Sequence, residues 1–306
     1  MVTPVFLVSG DTVGIVSTAR KISSIELKPL ILLLKTWGLN YVLGSTINAK
    51  SKQYAGDDAT RALDFQTMLD DPKVKAIWCA RGGYGTVRII DQLDFSVFRK
   101  NPKWIIGYSD VTVLHSHVHS FGVETLHANM AIDINSKTEN TRSSINKVLF
   151  GKDYNIKIAS GNELNRTGDA KGQLIGGNLS ILYSLIGSSS ELITKGKILL
   201  IEDLDEMLYH IDRMMQSLKR SGALENIKGL VVGGMNDMKD NTIPFGKTAE
   251  EIVLEAVLEY NYPVCFDFPS GHINDNRALI LGREIQLKVD KNEVTLGFNQ
   301  KQLLDT

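Results

Sequence analysis

The first 120 residues alternate short apolar runs with segments of helical periodicity, and this alternation constrains the fold more than any other feature of the chain. The apolar runs predict strands over 13–17, 40–44, 75–80 and 103–110, and the segments between and after them predict helices over 26–37, 57–69, 86–93 and 111–120. A strand–helix repeat of this kind is typical of a doubly wound, mostly parallel sheet. Functional groups of such a sheet collect at the carboxyl ends of its strands, where Gly82, Gly83 and Ser109 lie.

A polar stretch from about residue 136 to residue 171 interrupts the pattern and indicates a junction. We therefore predict an α/β amino-terminal domain over 1–150, a linker over 151–170 and a β-rich carboxy-terminal domain over 171–306. The second half predicts strands over 197–203, 228–235 and 264–268, a helix over 248–259 and a strand-rich tail. Apolar side chains at helical spacing from Met207 to Leu218 predict a core-facing stripe, with a methionine-lined ligand groove as the alternative.

Charge and hydropathy exclude several classes of partner. The 34 basic and 35 acidic residues give a net charge of -1, so no positive field favours a nucleic acid or an anionic membrane. The apolar run around Leu30 to Leu34 is bounded by Lys28 and Lys35, short of the roughly 18 residues of a membrane span. The amino terminus has no basic segment before its apolar stretch, and we expect a cytoplasmic protein.

Ser109 stands between a predicted strand and a predicted helix, two residues after Gly107. A sharp strand-to-helix turn exposes a serine hydroxyl and aims helix N–H groups at a nearby oxyanion. The pattern resembles a nucleophile elbow, although Val111 stands where the second glycine of G-x-S-x-G would be. An ordinary helix-cap serine is the alternative.

The turn Arg81-Gly82-Gly83-Tyr84-Gly85 follows a buried strand. Its glycines allow close approach to a ligand or donation of N–H groups to an anion, and a plain tight turn is the alternative. The segment has neither the Walker Lys-Ser/Thr pair nor the G-x-G-x-x-G spacing of a phosphate loop.

Two more residues have settings suited to catalysis. Glu202 ends an apolar strand, where a carboxylate can orient an imidazole, and His272 lies in the polar loop PSGHINDN. His115 and His119 share a helical face, but no acidic residue stands beside them at metal-ligand spacing, so packed or surface histidines are favoured over a metal site. Cys79 and Cys265 lie in apolar runs and indicate inert thiols without a disulfide.

Six ordered segments together resemble the LD-carboxypeptidase family, also called muramoyltetrapeptide carboxypeptidases, along nearly the whole chain. The segments are GDTVGIVS near the start, ARGGYGTVRIID at 80–91, IIGYSDVTVLH at 105–115, GQLIGGNLSIL at 172–182, LLIEDLDEMLYHIDRMM at 199–215 and GHINDN at 271–276. The last departs from the family's commoner GHG form. The stretch between GGNLS and LLIED is short, which favours the muropeptide branch over the branch that hydrolyses microcin-type peptidyl nucleotides.

The resemblance implies a Ser-Glu-His triad of Ser109, Glu202 and His272, with the amides of Gly83 and Asp110 as the oxyanion hole. It implies an active site in the cleft between the two domains, a homodimer, and no metal or other cofactor. The implied substrate is a small peptide or muropeptide that loses its terminal D-alanine during cell-wall recycling. A carboxypeptidase must bind a free terminal carboxylate, and Arg81 or the amides of the glycine turn are the candidates for that task. The substrate contacts that we assign are Arg81, Gly82, Tyr84 and Asn178.

Two alternatives remain at this point. One is a peptidase that hydrolyses peptidyl- or aminoacyl-nucleotide antibiotics, and the other is a binding module that has kept the two domains and lost the chemistry. The presence of all three triad residue types speaks against the second alternative.

Overall fold

The computed structural model describes residues 1–298; the predicted carboxy-terminal domain extends past them to residue 306, and its last residues lie outside the described part. The chain divides into two compact units. The first unit contains Met1–Lys152 together with Asn274–Ile280, and the second contains Asp153–Ile273 together with residues from Leu281 onward.

The described residues form thirteen strands and eight α-helices. The strands are β1 (Thr12–Val16), β2 (Asn40–Leu43), β3 (Val74–Cys79), β4 (Trp104–Gly107), β5 (Thr125–His127), β6 (Asn155–Ala159), β7 (Gly168–Asn178), β8 (Ile198–Leu204), β9 (Gly229–Asn236), β10 (Val264–Cys265), β11 (Leu279–Leu281), β12 (Glu284–Val289) and β13 (Glu293–Phe298). The α-helices are α1 (Lys28–Thr36), α2 (Asp58–Asp70), α3 (Ser96–Lys100), α4 (Thr112–His119), α5 (Glu139–Leu149), α6 (Leu179–Ser184), α7 (Leu208–Arg220) and α8 (Ala249–Ala256).

The first unit is built on one sheet of six strands in the order β11-β5-β4-β3-β1-β2. The pairings from β2 to β5 are all parallel. The central strands β3 and β4 are almost entirely buried, as expected for a parallel sheet covered on both faces. The strand order changes direction between β1 and β3, and the crevice outside the carboxyl ends at such a switch point is where open α/β sheets bind ligands.

The second unit is built on a sheet of seven strands in the order β10-β9-β8-β7-β12-β13-β6. Its β10-β9-β8-β7 half is parallel, and its β7-β12-β13-β6 half is antiparallel. On α7, the buried residues are Ile211, Met214, Met215 and Leu218, and they join the apolar core of this unit. The predicted core-facing stripe is therefore confirmed, and so is the α/β class with a doubly wound amino-terminal sheet and a β-rich second part.

Three local predictions differ from the structure. The predicted helix over 86–93 is two short 3-10 turns, Thr86–Arg88 and Ile90–Gln92, and the predicted strand over 264–268 has only two residues. The polar stretch over 136–171 contains α5 and β6, so β6 lies within the predicted linker. No helix within residues 1–298 combines the length and the apolar character needed to cross a membrane.

Candidate active site

Ser109 lies two residues after the end of β4 and has a φ of +61°, in the left-handed region that serine rarely occupies. It opens a 3-10 turn that leads into α4, whose N-cap position is Val111 rather than Ser109. A Cβ on Gly107 would lie 2.8 Å from a methyl of Val111, so glycine is needed for the helix to fold back so closely on the strand. The segment therefore has the sharp backbone turn of a nucleophile elbow.

The glycine turn Arg81–Gly85 lies against this serine within the first unit. A Cβ added to Gly82 would be 3.5 Å from Ser109 Cβ, and Gly83 has a φ of +110°. Within the described part of the chain, the N–H groups of Gly83 and Asp110 donate no hydrogen bond to the protein. These are the two amides that the family resemblance assigns to the oxyanion hole.

A buried polar network ties the serine turn to the glycine turn. The Thr86 N–H and hydroxyl donate to Asp110 Oδ2 at 2.9 and 2.6 Å, and the Thr86 and Thr18 hydroxyls are 2.8 Å apart. Fully buried Arg61 donates to the carbonyls of Thr18 and Gly85. Burial raises the pKa of the Asp110 carboxyl, and the Thr86 hydrogen bonds oppose that rise. The network fixes the carboxyl ends of β1, β3 and β4 against one another.

Glu202 and His272 form a hydrogen-bonded pair in the second unit. His272 Nδ1 lies 2.7 Å from Glu202 Oε2. The Glu202 side chain is completely buried, whereas 13% of the His272 side chain is exposed. A buried carboxylate on Nδ1 leaves Nε2 as the ring nitrogen that can exchange a proton with a substrate or a nucleophile.

The local backbone explains how this pair is placed. The β8–β9 pairing shifts register between Ile201 and Asp203, and such irregularities often redirect side chains at active sites. Gly271 has a φ of +101°, and a Cβ there would lie 2.5 Å from Glu202 Oε2. Glycine before His272 therefore leaves the space that the Glu202 carboxylate occupies.

Asp203 supports the same strand end. It accepts hydrogen bonds from the Asn178 side-chain amide at 2.9 Å and from the Ser180 N–H at 2.8 Å. Burial, with a smaller contribution from the charge of Glu202, raises the pKa of Asp203 to about 6. The carboxyl of Asp203 thus links the end of β8 to the start of α6, next to the His272 partner Glu202.

The structure distributes the predicted site residues over both units. Ser109, Gly82, Gly83 and Asp110 come together in the first unit, and Glu202 and His272 come together in the second. Asn178 is 4% exposed, and its side chain is bonded to Asp203 and caps α6.

Two other predicted substrate contacts lie on the glycine turn. Arg81 donates to the Lys21 carbonyl at 3.2 Å and lies 3.8 Å from Glu26. The Tyr84 side chain is 45% exposed, with its ring 6.4 Å from that of Tyr54. Tyr84 is thus accessible, whereas the Arg81 guanidinium already has protein partners.

Sequence reasoning missed the residues that hold the site in place, namely Arg61, Thr86 and Asp203. A signal existed for Asp203, which follows Glu202 in a strand-end acidic pair. No local pattern marks Arg61, because it lies on α2 and reaches the glycine turn only through the tertiary fold.

The remaining polar candidates are packed inside the first unit. His115 bonds Thr125 Oγ1 and the Gly107 carbonyl, and burial lowers its pKa to about 3. Burial raises the pKa of the Cys79 thiol to about 12. Among residues 1–298, no three His, Cys, Asp or Glu side chains form a group suited to a metal ion.

Known proteins resemble this chain over almost its whole length. Family models for the LD-carboxypeptidase N-terminal and C-terminal domains match residues 13–128 and 171–287. A probable murein peptide carboxypeptidase of Bacillus subtilis is 36% identical over 290 residues, covering 91% of this chain and 89% of that protein.

Solved structures show the same fold. The muramoyltetrapeptide carboxypeptidase of Oxalobacter formigenes has a TM-score of 0.85 at 25% identity, covering 94% of this chain and 98% of that one. The microcin C7 self immunity protein MccF, solved in complex with aspartyl sulfamoyl adenosine, has a TM-score of 0.84 at 21% identity, covering 96% and 98%. Because both family domains match in order and the Bacillus relative is similar along nearly its full length, the chain belongs to the LD-carboxypeptidase family and is a carboxypeptidase of that family.

Proposed function

We propose that this protein is a serine-type L,D-carboxypeptidase that releases the terminal D-alanine from murein tetrapeptides. The observation that carries the proposal is the 2.7 Å hydrogen bond from His272 to the buried Glu202 carboxylate, which is the base-and-orienter half of a catalytic triad. Ser109, on its strained turn beside two amides that donate no hydrogen bond within residues 1–298, supplies the nucleophile.

In the proposed reaction, His272 Nε2 takes the Ser109 proton while the hydroxyl oxygen attacks the carbonyl before D-alanine. The Gly83 and Asp110 amides stabilise the oxyanion. His272 then protonates the departing amine, and water, activated by the same imidazole, hydrolyses the acyl-enzyme. Glu202 holds the tautomer with Nδ1 protonated and stabilises the imidazolium.

The substrate class rests on the relatives. The Bacillus relative, at 36% identity, and the Oxalobacter protein, at 25% identity, carry names that refer to murein peptides or muramoyltetrapeptides, whereas MccF, at 21% identity, shows the fold alone. Hydrolysis of peptidyl nucleotides is therefore the second candidate. We further propose, from the family resemblance, a cytoplasmic homodimer in which 1–150 carries the serine and 171–306 carries the Glu202–His272 pair.

The test is incubation of the protein with a murein tetrapeptide ending in D-alanine, followed by mass spectrometry of the products. We expect loss of one alanine with the wild-type protein and at least a roughly 1,000-fold lower rate for Ser109→Ala, because removing the nucleophile leaves only the residual catalysis of the oxyanion hole. His272→Gln should give a similar loss. Turnover of a peptidyl adenylate without release of D-alanine would favour the second candidate, and failure of a fluorophosphonate to label Ser109 would contradict the serine mechanism.

A further inference from the structure

A carboxypeptidase must recognise the free carboxylate of the residue that it removes. In the proposed substrate, three bonds of about 1.3 to 1.5 Å separate the scissile carbonyl carbon from the terminal carboxyl carbon, so the two atoms lie within about 4 Å. The cationic group that binds this carboxylate must therefore lie close to the oxyanion hole, and a residue that borders the hole is well placed to supply it.

Arg20 borders it in the first unit. It follows the carboxyl end of β1, and its N–H donates to the Gly82 carbonyl at 3.3 Å. Its own carbonyl accepts from the Ser17 hydroxyl at 2.6 Å, which fixes the backbone on the other side. Arg20 is thus anchored to the glycine that packs against Ser109.

The Arg20 side chain crosses the face of Gly83. A Cβ on Gly83 would lie 2.6 Å from both Cδ and Nε of Arg20, so the guanidinium stem occupies the space that any side chain at residue 83 would fill. Arg20 is exposed. The cation is therefore accessible to solvent and lies next to the residue whose amide we assign to the oxyanion hole.

Other cations of this region already have protein partners. They are Arg61 with the carbonyls of Thr18 and Gly85, Arg81 with the Lys21 carbonyl, Arg88 with Asp58, and Lys21 with the Lys52 carbonyl. The Arg20 guanidinium, in contrast, makes no ion pair or hydrogen bond with any residue in the range 1–298.

We infer that Arg20, rather than Arg81, binds the terminal carboxylate of the peptide and so restricts the enzyme to exopeptidase cleavage. This inference rests on the proposed function for the identity of the ligand. A planar guanidinium can make two parallel hydrogen bonds to a carboxylate, which fixes the orientation of the terminal residue as well as its charge.

The test measures binding without turnover. Calorimetry with the Ser109→Ala protein compares a D-alanine-terminated tetrapeptide with the same peptide ending in an amide. We expect the acid to bind about 10- to 50-fold more tightly than the amide, as for a hydrogen-bonded charge pair. The double variant Ser109→Ala/Arg20→Gln should lose most of this preference, because the acid binds more weakly while affinity for the amide is unchanged.

Arg88→Gln in the Ser109→Ala background is the matched control, since it removes an arginine charge from the 3-10 turn that follows the glycine turn, and it should leave the acid-to-amide ratio unchanged. An unchanged ratio in the Arg20 variant, or its loss in Arg81→Gln instead, would overturn the inference. Circular dichroism of the Arg20→Gln protein, and its labelling at Ser109 by an uncharged fluorophosphonate at the wild-type rate, exclude misfolding. If the acid is preferred through Arg20 but the wild-type protein releases no D-alanine, the proposed reaction fails, and only the assignment of Arg20 as the ligand of the terminal carboxylate stands.

Discussion

Ser109 and Gly271 have backbone conformations that their neighbours impose. Ser109 has a φ of +61°, where a residue with a Cβ is strained by about 1 to 3 kcal/mol. Gly271 has a φ of +101° and leaves room for the Glu202 carboxylate. Strained or glycine-only positions of this kind concentrate where geometry matters more than stability, and here both adjoin a proposed catalytic group.

We predict that Ser109→Gly is more stable than Ser109→Ala by about 1 kcal/mol, because glycine adopts a positive φ without the Cβ clash that alanine retains. Both variants should lack peptidase activity. Urea unfolding followed by circular dichroism measures the difference. Equal stability, or a more stable alanine variant, would contradict the backbone strain at this position.

We predict that Gly271→Ala lowers kcat by about 100-fold or more, because the new Cβ would lie 2.5 Å from Glu202 Oε2 and the carboxylate must move away from His272. The matched control is Gly222→Ala, which has a φ of +81° and no atom within 4 Å of an added Cβ. It should carry a similar backbone strain and keep its activity. Measurement of kcat for both variants distinguishes the two causes. Equal losses of kcat would indicate backbone strain rather than displacement of the Glu202 carboxylate.

At the scale of elements, the end of β8 is held by the carboxyl of Asp203. Ionisation of this carboxyl destabilises the folded state. The pKa of Asp203 is about 6 in the folded protein, against an ordinary value of 3.8. The folded state therefore holds this proton more tightly than the unfolded chain between about pH 4 and pH 6. Stability from this group is present in full below about pH 4 and falls as the pH rises through that window.

We predict that ionisation of Asp203 lowers the free energy of unfolding by about 1 to 3 kcal/mol as the pH rises from about 4 to about 7. The Asp203→Asn variant should lack this pH-dependent change. The difference in the free energy of unfolding between wild type and variant should therefore change from about pH 4 to pH 7 and stay constant from about pH 7 to pH 9. Urea midpoints at a series of pH values provide the measurement. Parallel curves over the acidic interval would show that Asp203 does not titrate as described.

Several strands could be predicted from sequence because burial on both faces makes them continuous apolar runs, as in AIWC within β3 and ILLIE within β8. The helix α5 could not, because part of its buried face is polar. Ser144 accepts from the Ala278 N–H at 2.9 Å, and the Thr141 hydroxyl donates to the Asn274 carbonyl. Those partners are more than 130 residues away in sequence, so no local pattern predicts the burial.

The candidate site, like the fold, could be predicted from sequence only in part. Residue types and strand-end positions are enough to indicate Ser109 and Glu202 from the sequence, although their roles are assigned through the family resemblance. The register shift at Glu202 and the short 3-10 turn at Thr86 could not be predicted. Both depend on contacts between neighbouring strand ends, and Thr86 in particular is held by Asp110 from the next strand along the sheet.

At the scale of the whole molecule, the first unit is discontinuous. Its sheet is completed by β11, whose first two residues belong to the segment Asn274–Ile280, which begins two residues after His272. Within this unit, Thr138 bonds Asp275 at 2.8 Å, which anchors the start of the segment to the amino end of α5. A chain that ends after residue 152 would leave β5 as an open edge.

We predict that the fragment 1–152 aggregates on heating and melts at a lower temperature than the same fragment carrying residues 274–281 behind a flexible Gly-Ser linker. The added strand should cover the backbone groups of β5. Differential scanning fluorimetry and light scattering measure both effects, with a scrambled 274–281 segment as the control. Identical behaviour of the three proteins would show that β11 contributes nothing to the first unit.

The position of His272 in the chain has a consequence for how activity is lost. Ile273 alone separates the imidazole from the segment that completes the first unit. When β11 leaves its sheet in a partial opening, one end of the loop that carries the imidazole loses its anchor. Such openings require less free energy than global unfolding. We therefore expect inactivation by heat or denaturant to begin with the detachment of this three-residue strand, before either apolar core melts.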